Sequence, residues 1–282
     1  GLDVSFVDGG GFMYAMAVAK DSSPRSGTEF TLGKRQEDID GAYVGKKARE
    51  ESIALIGSQS VKSGKYRIIL RNDVFSDMLG MLVSMISAEN AQKNLSPLKG
   101  KLGEQIGSNI FTVKDLPYHP MSISNAPFDT QGVPTCEKAI IEKGVFKTFL
   151  HNLKTAKKDG VKPTGNAAGN GIAPINLYVE PGNKSFEELL SALGDGILII
   201  EVDGMHAGAN PISGNFSLGA KGFKVENGKI VRGVEEITIS GNFLEMMKNI
   251  EEVGSDVRAF FGFGGCIVPS IIVNEIDIAG TM

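Results

Sequence analysis

The chain has 282 residues, room for one large domain or two ordinary ones, and its 41% apolar content excludes a disordered polymer. With 29 basic against 33 acidic residues, a net charge of −4, it lacks the basic excess that displaces counterions from nucleic acid. Two distant cysteines, Cys136 and Cys266, make no disulfide framework, no apolar run reaches the ~18 residues of a membrane helix, and the first residues have no signal-peptide character.

In chain order, residues 5–19 read as a strand pair joined by the glycines at 9–11, as if the chain entered in the middle of a larger protein. A polar turn at 21–27 follows, then a helix over 40–56 with Asp38 or Asp40 as cap and Gly57 as stop. A short strand at 66–70 leads to one long helix predicted over 72–92, its apolar face running from Val74 to Ile86 and its start capped by Asn72 or Asp73. Residues 110–113 form a strand, 128–134 a turn, and 138–141 pairs with 145–150 across Lys143-Gly144. A basic helix over 151–158 closes at Gly160, and 163–174 reads as an exposed irregular loop. Ser185 and Glu188 form a capping box for the helix that ends at Gly194.

The stretch 197–250 carries the densest signals. Residues 197–202 are a nearly continuous apolar run, a strand buried on both faces. The glycine-dense segment 205–217 connects it to strands at 222–225 and 229–234, joined by Asn227-Gly228. A further strand covers 235–240, and Asn242 with Glu245 starts a helix that stops near Gly254 and buries Phe243, Leu244, Met247 and Ile250. A glycine-rich turn at 262–265 and a last strand at 271–278 complete the chain. The 36 glycines, set among short strand-like runs, favour a β-rich architecture with tight connections.

Familiar catalytic motifs are missing. There is no His-Glu-x-x-His, which would set two imidazoles on one side of a metal, and no Gly-x-Ser-x-Gly elbow. The glycines at 165–171 have neither the Lys-Ser/Thr nor the preceding strand of a phosphate loop. His119, His151 and His206 are scattered and read as structural, as does Cys136. Cys266, in a tight glycine-rich turn, is either a small buried residue or a reactive thiol. The Asn-x-Ser sequons at Asn94, Asn183 and Asn215 are attributed to chance.

PFDTQGVPT (127–135), PTGNAAGNG (163–171), SGNFSLGAKGFKVENGKI (213–230), EITISGNF (236–243), NIEEVGSD (249–256) and CIVPSIIVNEIDIAGT (266–281) resemble, in order and spacing, the TldD/PmbA family. The likeness runs from about residue 66 to the end, more weakly from residue 4, and is to the PmbA (TldE) branch. It implies an α+β fold: a partial N-terminal and middle region over 1–110 carrying the helix 72–92, then a β-rich C-terminal domain over 111–282 with antiparallel sheets and a few packed helices. The family's further N-terminal α/β domain is expected to be missing, by truncation or cleavage.

The TldD branch carries His-Glu-x-x-x-His on a helix and a distal cysteine, ligands for zinc. The equivalent helix here, 72–92, has no histidine, its nearest positions at 81–86 are apolar, and Glu89 is out of place. Cys266 stands about where the family's cysteine does. The resemblance therefore implies no catalytic, cofactor or metal residue in this chain, with zinc expected only in a TldD-type partner. It further implies a cytoplasmic dimer with a TldD-like subunit or with itself, acting on extended or unfolded peptide in proteolysis or peptide maturation. The family's older label is modulator of DNA gyrase; the acidic balance gives no support to DNA binding. Two alternatives stay open: a hydrolase using Cys266 with His206, and a non-enzymatic binding or scaffold protein, including a gyrase-associated one.

Overall fold

A computed structural model describes residues 1–262 and 264–281. The first unit is a hairpin of β1 (Gly11–Lys20) and β2 (Pro24–Gly33), backed by helix α1 (Gly41–Ala54). Strand β3 (Gly64–Leu70) runs into α2 (Asn72–Met85) and the short α3 (Ala88–Gln92). Next come β4 (Val113–Asp115), β5 (Lys138–Glu142), β6 (Val145–Phe146) and α4 (Leu153–Asp159). The two-residue strands β7 (Ala167–Ala168) and β8 (Gly171–Ile172) precede β9 (Asn176–Val179) and α5 (Phe186–Leu193). The remainder is β10 (Gly196–Asp203), α6 (Met205–Gly208), β11 (Asn215–Glu226), β12 (Lys229–Asn242) and α7 (Phe243–Lys248), then β13 (Ile250–Val253), β14 (Arg258–Gly262), β15 (Gly264–Val268) and β16 (Ile271–Ala279).

Strand residues outnumber helical ones, 39% against 22%, so the fold is the expected β-rich α+β type. One six-stranded sheet has the order β12-β11-β10-β3-β16-β13, and β12 also pairs with β16, which closes five of the strands into a ring. β3 lies between β10 and β16, so this sheet joins residues from both sides of position 110. Alternation gives it two dry faces. Ile197 and Ile199 of β10 point into the main core, whereas Leu198 and Ile200 join Leu189 and Leu193 of α5 in a second one. A second six-stranded sheet has the order β14-β15-β9-β4-β5-β6. Pairing is antiparallel in both, apart from β3 with β10 and β9 with β15. Helix α2 packs against β10, β14 and β15, and buries Val74, Phe75, Met78, Leu79, Leu82 and Met85. Each such side chain contributes ~1.5–3 kcal/mol, which makes α2 the main joist of the fold.

Local chemistry settles several turns as expected. Asn227 and Gly228 both have positive φ, 49° and 74°, as a two-residue hairpin turn requires. The Ser185–Glu188 box is reciprocal, at 3.2 and 2.7 Å. Asn242 accepts the Leu244 N–H at 3.0 Å, although Glu245 turns to Lys248 instead of closing a box.

Elsewhere tertiary contacts override the local reading. The first hairpin turns at 21–23, where Asp21 accepts the Ser23 N–H at 3.0 Å, and not at the glycines of 9–11. The helix expected over 72–92 breaks between α2 and α3, because the Ile86 carbonyl and Ala88 N–H pair with the backbone of Leu150. Its start is capped from afar: the Asn72 N–H donates to the Ser270 hydroxyl at 3.0 Å. The strands expected at 229–234 and 235–240 are one, β12, kinked where Glu236 has φ 54°. The helix expected to reach Gly254 ends at Lys248, and Ile250 is buried in β13. The strand expected at 110–113 lies at β4, and the loop 163–174 holds β7, β8 and the fully buried Asn166. Of the glycine-rich turn at 262–265, Phe263 lies outside the described residues; Gly262 pairs with Gly264.

Candidate functional site

The site is built on the outward side of α2. Its first turn is fixed by Arg71, which grips Asp73 with two parallel bonds of 2.8 and 2.7 Å, reaches the Ile200 carbonyl at 3.0 Å and pairs with Glu51 of α1. That guanidinium ties α1, α2 and β10 together. With Met78, Leu79 and Leu82 turned inward, the helical repeat leaves Asp73, Ser76, Asp77 and Gly80 along the other side.

The β1–β2 hairpin stands over this side as a wall. Its cross-strand pairs Tyr14↔Phe30 and Met16↔Thr28 put large side chains on one face. The other face lies so close to α1 that a Cβ on Gly27 would meet the Ala48 carbonyl at 2.3 Å, which is why glycine stands there. The opposite wall is β14, with Phe260 and Phe261. Phe12 stacks near Phe261 (centroids 6.1 Å, planes 17° apart) and Phe30 leans on Phe260 at 5.3 Å. Between the walls is a cleft of about 340 Å³ floored by Asp73, Val74 and Asp77 and ended by Ile200 and Glu201. Past Asp77 and Phe261 it continues into a recess of about 100 Å³ lined by Ser76, Gly80, Val83 and Cys266.

A larger cavity, about 580 Å³, lies beside the hairpin near Lys34, Arg35 and Arg258. Those cations are all engaged, with Asp8 at 3.1 Å, Asp38 at 3.2 Å and Glu29 at 2.6 Å. With no free charge on offer and no contact with α2, it is the weaker candidate.

The charges in the cleft are unequal. Asp73 is paired with Arg71, a cation it shares with Glu51, and Glu201 is paired with Lys221 at 2.7 Å. Asp77 takes part in no ion pair among the described residues. Desolvation within the cleft, with the Asp73 charge beside it, pushes its carboxyl up to about 6, although the residue is exposed to solvent at the cleft mouth, which limits that desolvation. Burial, and then the Glu201 charge, raises the Tyr14 hydroxyl. Burial pushes the Cys266 thiol up to about 12, against a smaller opposing pull from its hydrogen bond with Ser76.

The structure scatters the other residues singled out in the sequence. His206 is exposed on α6 and does not line the recess that holds Cys266, so the expected pairing of the two is not formed. His151 is buried beside α4, and burial lowers its basicity. His119 leans on the Tyr178 ring at 5.4 Å, with burial lowering it too. Cys136, expected to be structural, is exposed. Glu89 lies on α3, paired with Lys93 at 2.8 Å. Met81, Leu82, Met85 and Ile86 point into the main core, so the part of α2 that faces Cys266 lies upstream of the expected 81–86, around Ser76, Asp77 and Gly80. Among the described residues no three His, Cys, Asp or Glu side chains are grouped to hold a metal. Sequence reading missed Asp77 and the aromatic walls. Two signals were present: like charges at i,i+4 in Asp73 and Asp77, which weaken a helix, and the alternation Phe12, Tyr14, Met16, Val18.

Two sheets gripping a central helix, with a cysteine strand laid over its solvent side, define a peptidase-family domain: the chain belongs to the PmbA/TldA metallopeptidase C-terminal domain family, which matches residues 63–280. A metalloprotease PmbA homolog of Buchnera aphidicola subsp. Acyrthosiphon pisum is 34% identical over 271 residues, 95% of this chain and 58% of that protein. Metalloprotease PmbA of Escherichia coli O157:H7 is 32% identical, covering 89% of this chain and 54% of that one. Among solved structures, a candidate modulator of a DNA gyrase from Thermotoga maritima MSB8 superposes with a TM-score of 0.93 at 56% identity, over 96% of this chain and 62% of that chain. TldE from Thermococcus kodakarensis gives 0.87 at 26% identity, over 95% and 62%. The chain thus spans 54% to 62% of the length of these relatives. No helix among the described residues is long and apolar enough to cross a membrane.

Proposed function

We propose that this chain is a PmbA/TldE-type subunit of a cytoplasmic two-part peptidase, which receives extended peptide in the α2 cleft while a TldD-type partner supplies zinc. The observation that carries the reading is the donor set opposite Cys266. Zinc takes thiolate, imidazole or carboxylate. The α2 side chains at His-Glu-x-x-x-His spacing that begin opposite Cys266 are Ser76, Asp77 and Met81, and Met81 is only 3% exposed, in the core. Cys266 is held as a thiol by burial. Asp77 is then the one ionisable oxygen donor in the recess, a set that does not fit zinc. The peptide half of the reading is supported by β1, which among the described residues pairs with β2 alone and leaves its other edge open for strand addition.

The test is elemental analysis of the purified chain, alone and mixed with a TldD-type protein. Absence of zinc alone, with stoichiometric zinc and chelator-sensitive peptidase activity in the mixture, is expected. Stoichiometric zinc in this chain alone, or chelator-sensitive peptidase activity without the partner, overturns the proposal. A self-sufficient Cys266 hydrolase is disfavoured by the protonated thiol and by the absence of His206 from the residues lining its recess. The gyrase-associated alternative draws on the name carried by the Thermotoga structure, and recovery of gyrase but no TldD-like protein in a pull-down would favour it.

A further inference from the structure

The geometry points to a preference within that cleft: we infer that it selects peptides presenting an arginine or lysine side chain, seated between the hairpin wall of Phe12 and Phe30 and the β14 wall of Phe260 and Phe261, with its charge against Asp77. The inference rests on the peptide-binding reading above and adds to it the chemistry of the residue bound.

Three observations converge. First, the walls are aromatic, and four of the lining side chains are phenylalanines. A basic side chain has the matching profile, an apolar stem that lies along aromatic surface and a cationic head attracted to ring faces. The protein already packs one cation in this way, since the Arg258 guanidinium sits 5.6 Å from the centroids of both Phe30 and Phe260. Second, no Lys or Arg is among the residues lining the cleft, whereas three carboxylates are. Third, two of those carboxylates have internal cations behind them, Arg71 for Asp73 and Lys221 for Glu201, and Asp77 does not. An acidic or purely apolar side chain would leave the Asp77 charge uncompensated on the cleft floor; a basic one compensates it. The charged and titratable groups around Asp77 are Asp73 on its own helix, Glu201 on β10, Tyr14 on β1 and Cys266 on β15, and none of them is a cation.

The probe is a pair of blocked, fluorescently tagged extended heptapeptides of small residues that differ only at the centre, arginine in one and its neutral isostere citrulline in the other. Both are titrated by anisotropy against the chain and against Asp77→Asn, which keeps the side-chain volume. The arginine peptide is expected to bind roughly tenfold tighter than the citrulline peptide, and Asp77→Asn to bring the ratio close to one. Equal binding of the two peptides by the unaltered chain overturns this inference and leaves the peptide-binding reading standing. A ratio that survives Asp77→Asn overturns it as well. Binding of neither peptide overturns both.

Discussion

Arg258 of β14 reaches Glu29 of β2, with Nη2 2.6 Å from Oε1, and it also donates to the Phe30 carbonyl at 2.8 Å. The two residues are 229 positions apart, and their pairing fastens the hairpin to the second sheet. Removal of the guanidinium in Arg258→Met forfeits the ion pair and both ring contacts. It is expected to cost about 1–2 kcal/mol of hairpin docking, read as ~5- to 30-fold faster amide exchange in β1 and β2 with β3 and β10 unchanged. Arg258→Lys is not expected to restore the protection, since an ammonium lacks the planar fork that bonds a carboxylate and a carbonyl while lying on two rings. Unaltered exchange in the hairpin would count against this account.

Asp115 holds together the second sheet. Its side chain is fully buried, one oxygen accepting from Lys138 at 2.9 Å and Asn166 at 2.7 Å, the other from the Ile175 and Asn176 amides at 2.8 and 3.1 Å. Asp115→Ala strands an ammonium and three further donors in a dry interior. A loss of ~3–5 kcal/mol is expected in urea unfolding. Asp115→Asn keeps the volume but cannot accept all four bonds, and should fall between the two. A change of less than ~1 kcal/mol in Asp115→Ala would mean that water enters to replace the carboxylate.

The Asp115 network also marks the limit of what the sequence disclosed. Asn227-Gly228, the Ser185–Glu188 box and the both-faces-buried run of β10 were legible, because each depends on residues within a few positions of one another. Asn166 falls in a stretch whose sequence reads as an exposed loop, since its partner Asp115 is 51 residues away. The break in the long helix is invisible locally, because the pairing partner Leu150 is more than 60 residues along the chain. The cleft was the least legible part: its walls come from the two ends of the chain, Phe12 with Phe261, and only its cysteine was noticed. The family resemblance supplied the fold type and the expected neighbourhood of Cys266, while the register along α2 needed the structure.

The two cysteines should report their surroundings directly. Cys136 is exposed, whereas burial holds the Cys266 thiol up to about 12. At about pH 8 only ~1 in 10,000 Cys266 side chains is thiolate, the form that attacks a disulfide reagent. Titration with an aromatic disulfide is expected to label one cysteine rapidly in the folded chain and both after denaturation, with Cys136→Ser abolishing the rapid phase. Rapid labelling of Cys266 in the folded Cys136→Ser variant would reopen its candidacy as a nucleophile.

Asp77 should leave a signature in the pH dependence of stability. Its carboxyl binds a proton more tightly in the folded chain, at about 6, than at the ordinary 3.8. Below that lower value both states are protonated and Asp77 adds nothing. Between the two values the unfolded chain releases the proton and the folded one retains it, so stability falls as pH rises, and above about 6 the penalty is complete and constant. Since Asp77 is exposed to solvent, water screens its charge and the penalty is modest. Asp77→Asn removes the titration. Its melting temperature is expected to match the parent near pH ~4 and to exceed it at pH ~7.5. Identical profiles across that window would mean that solvent reaches Asp77 freely, and the cleft floor would then carry no unmet charge for a ligand to satisfy.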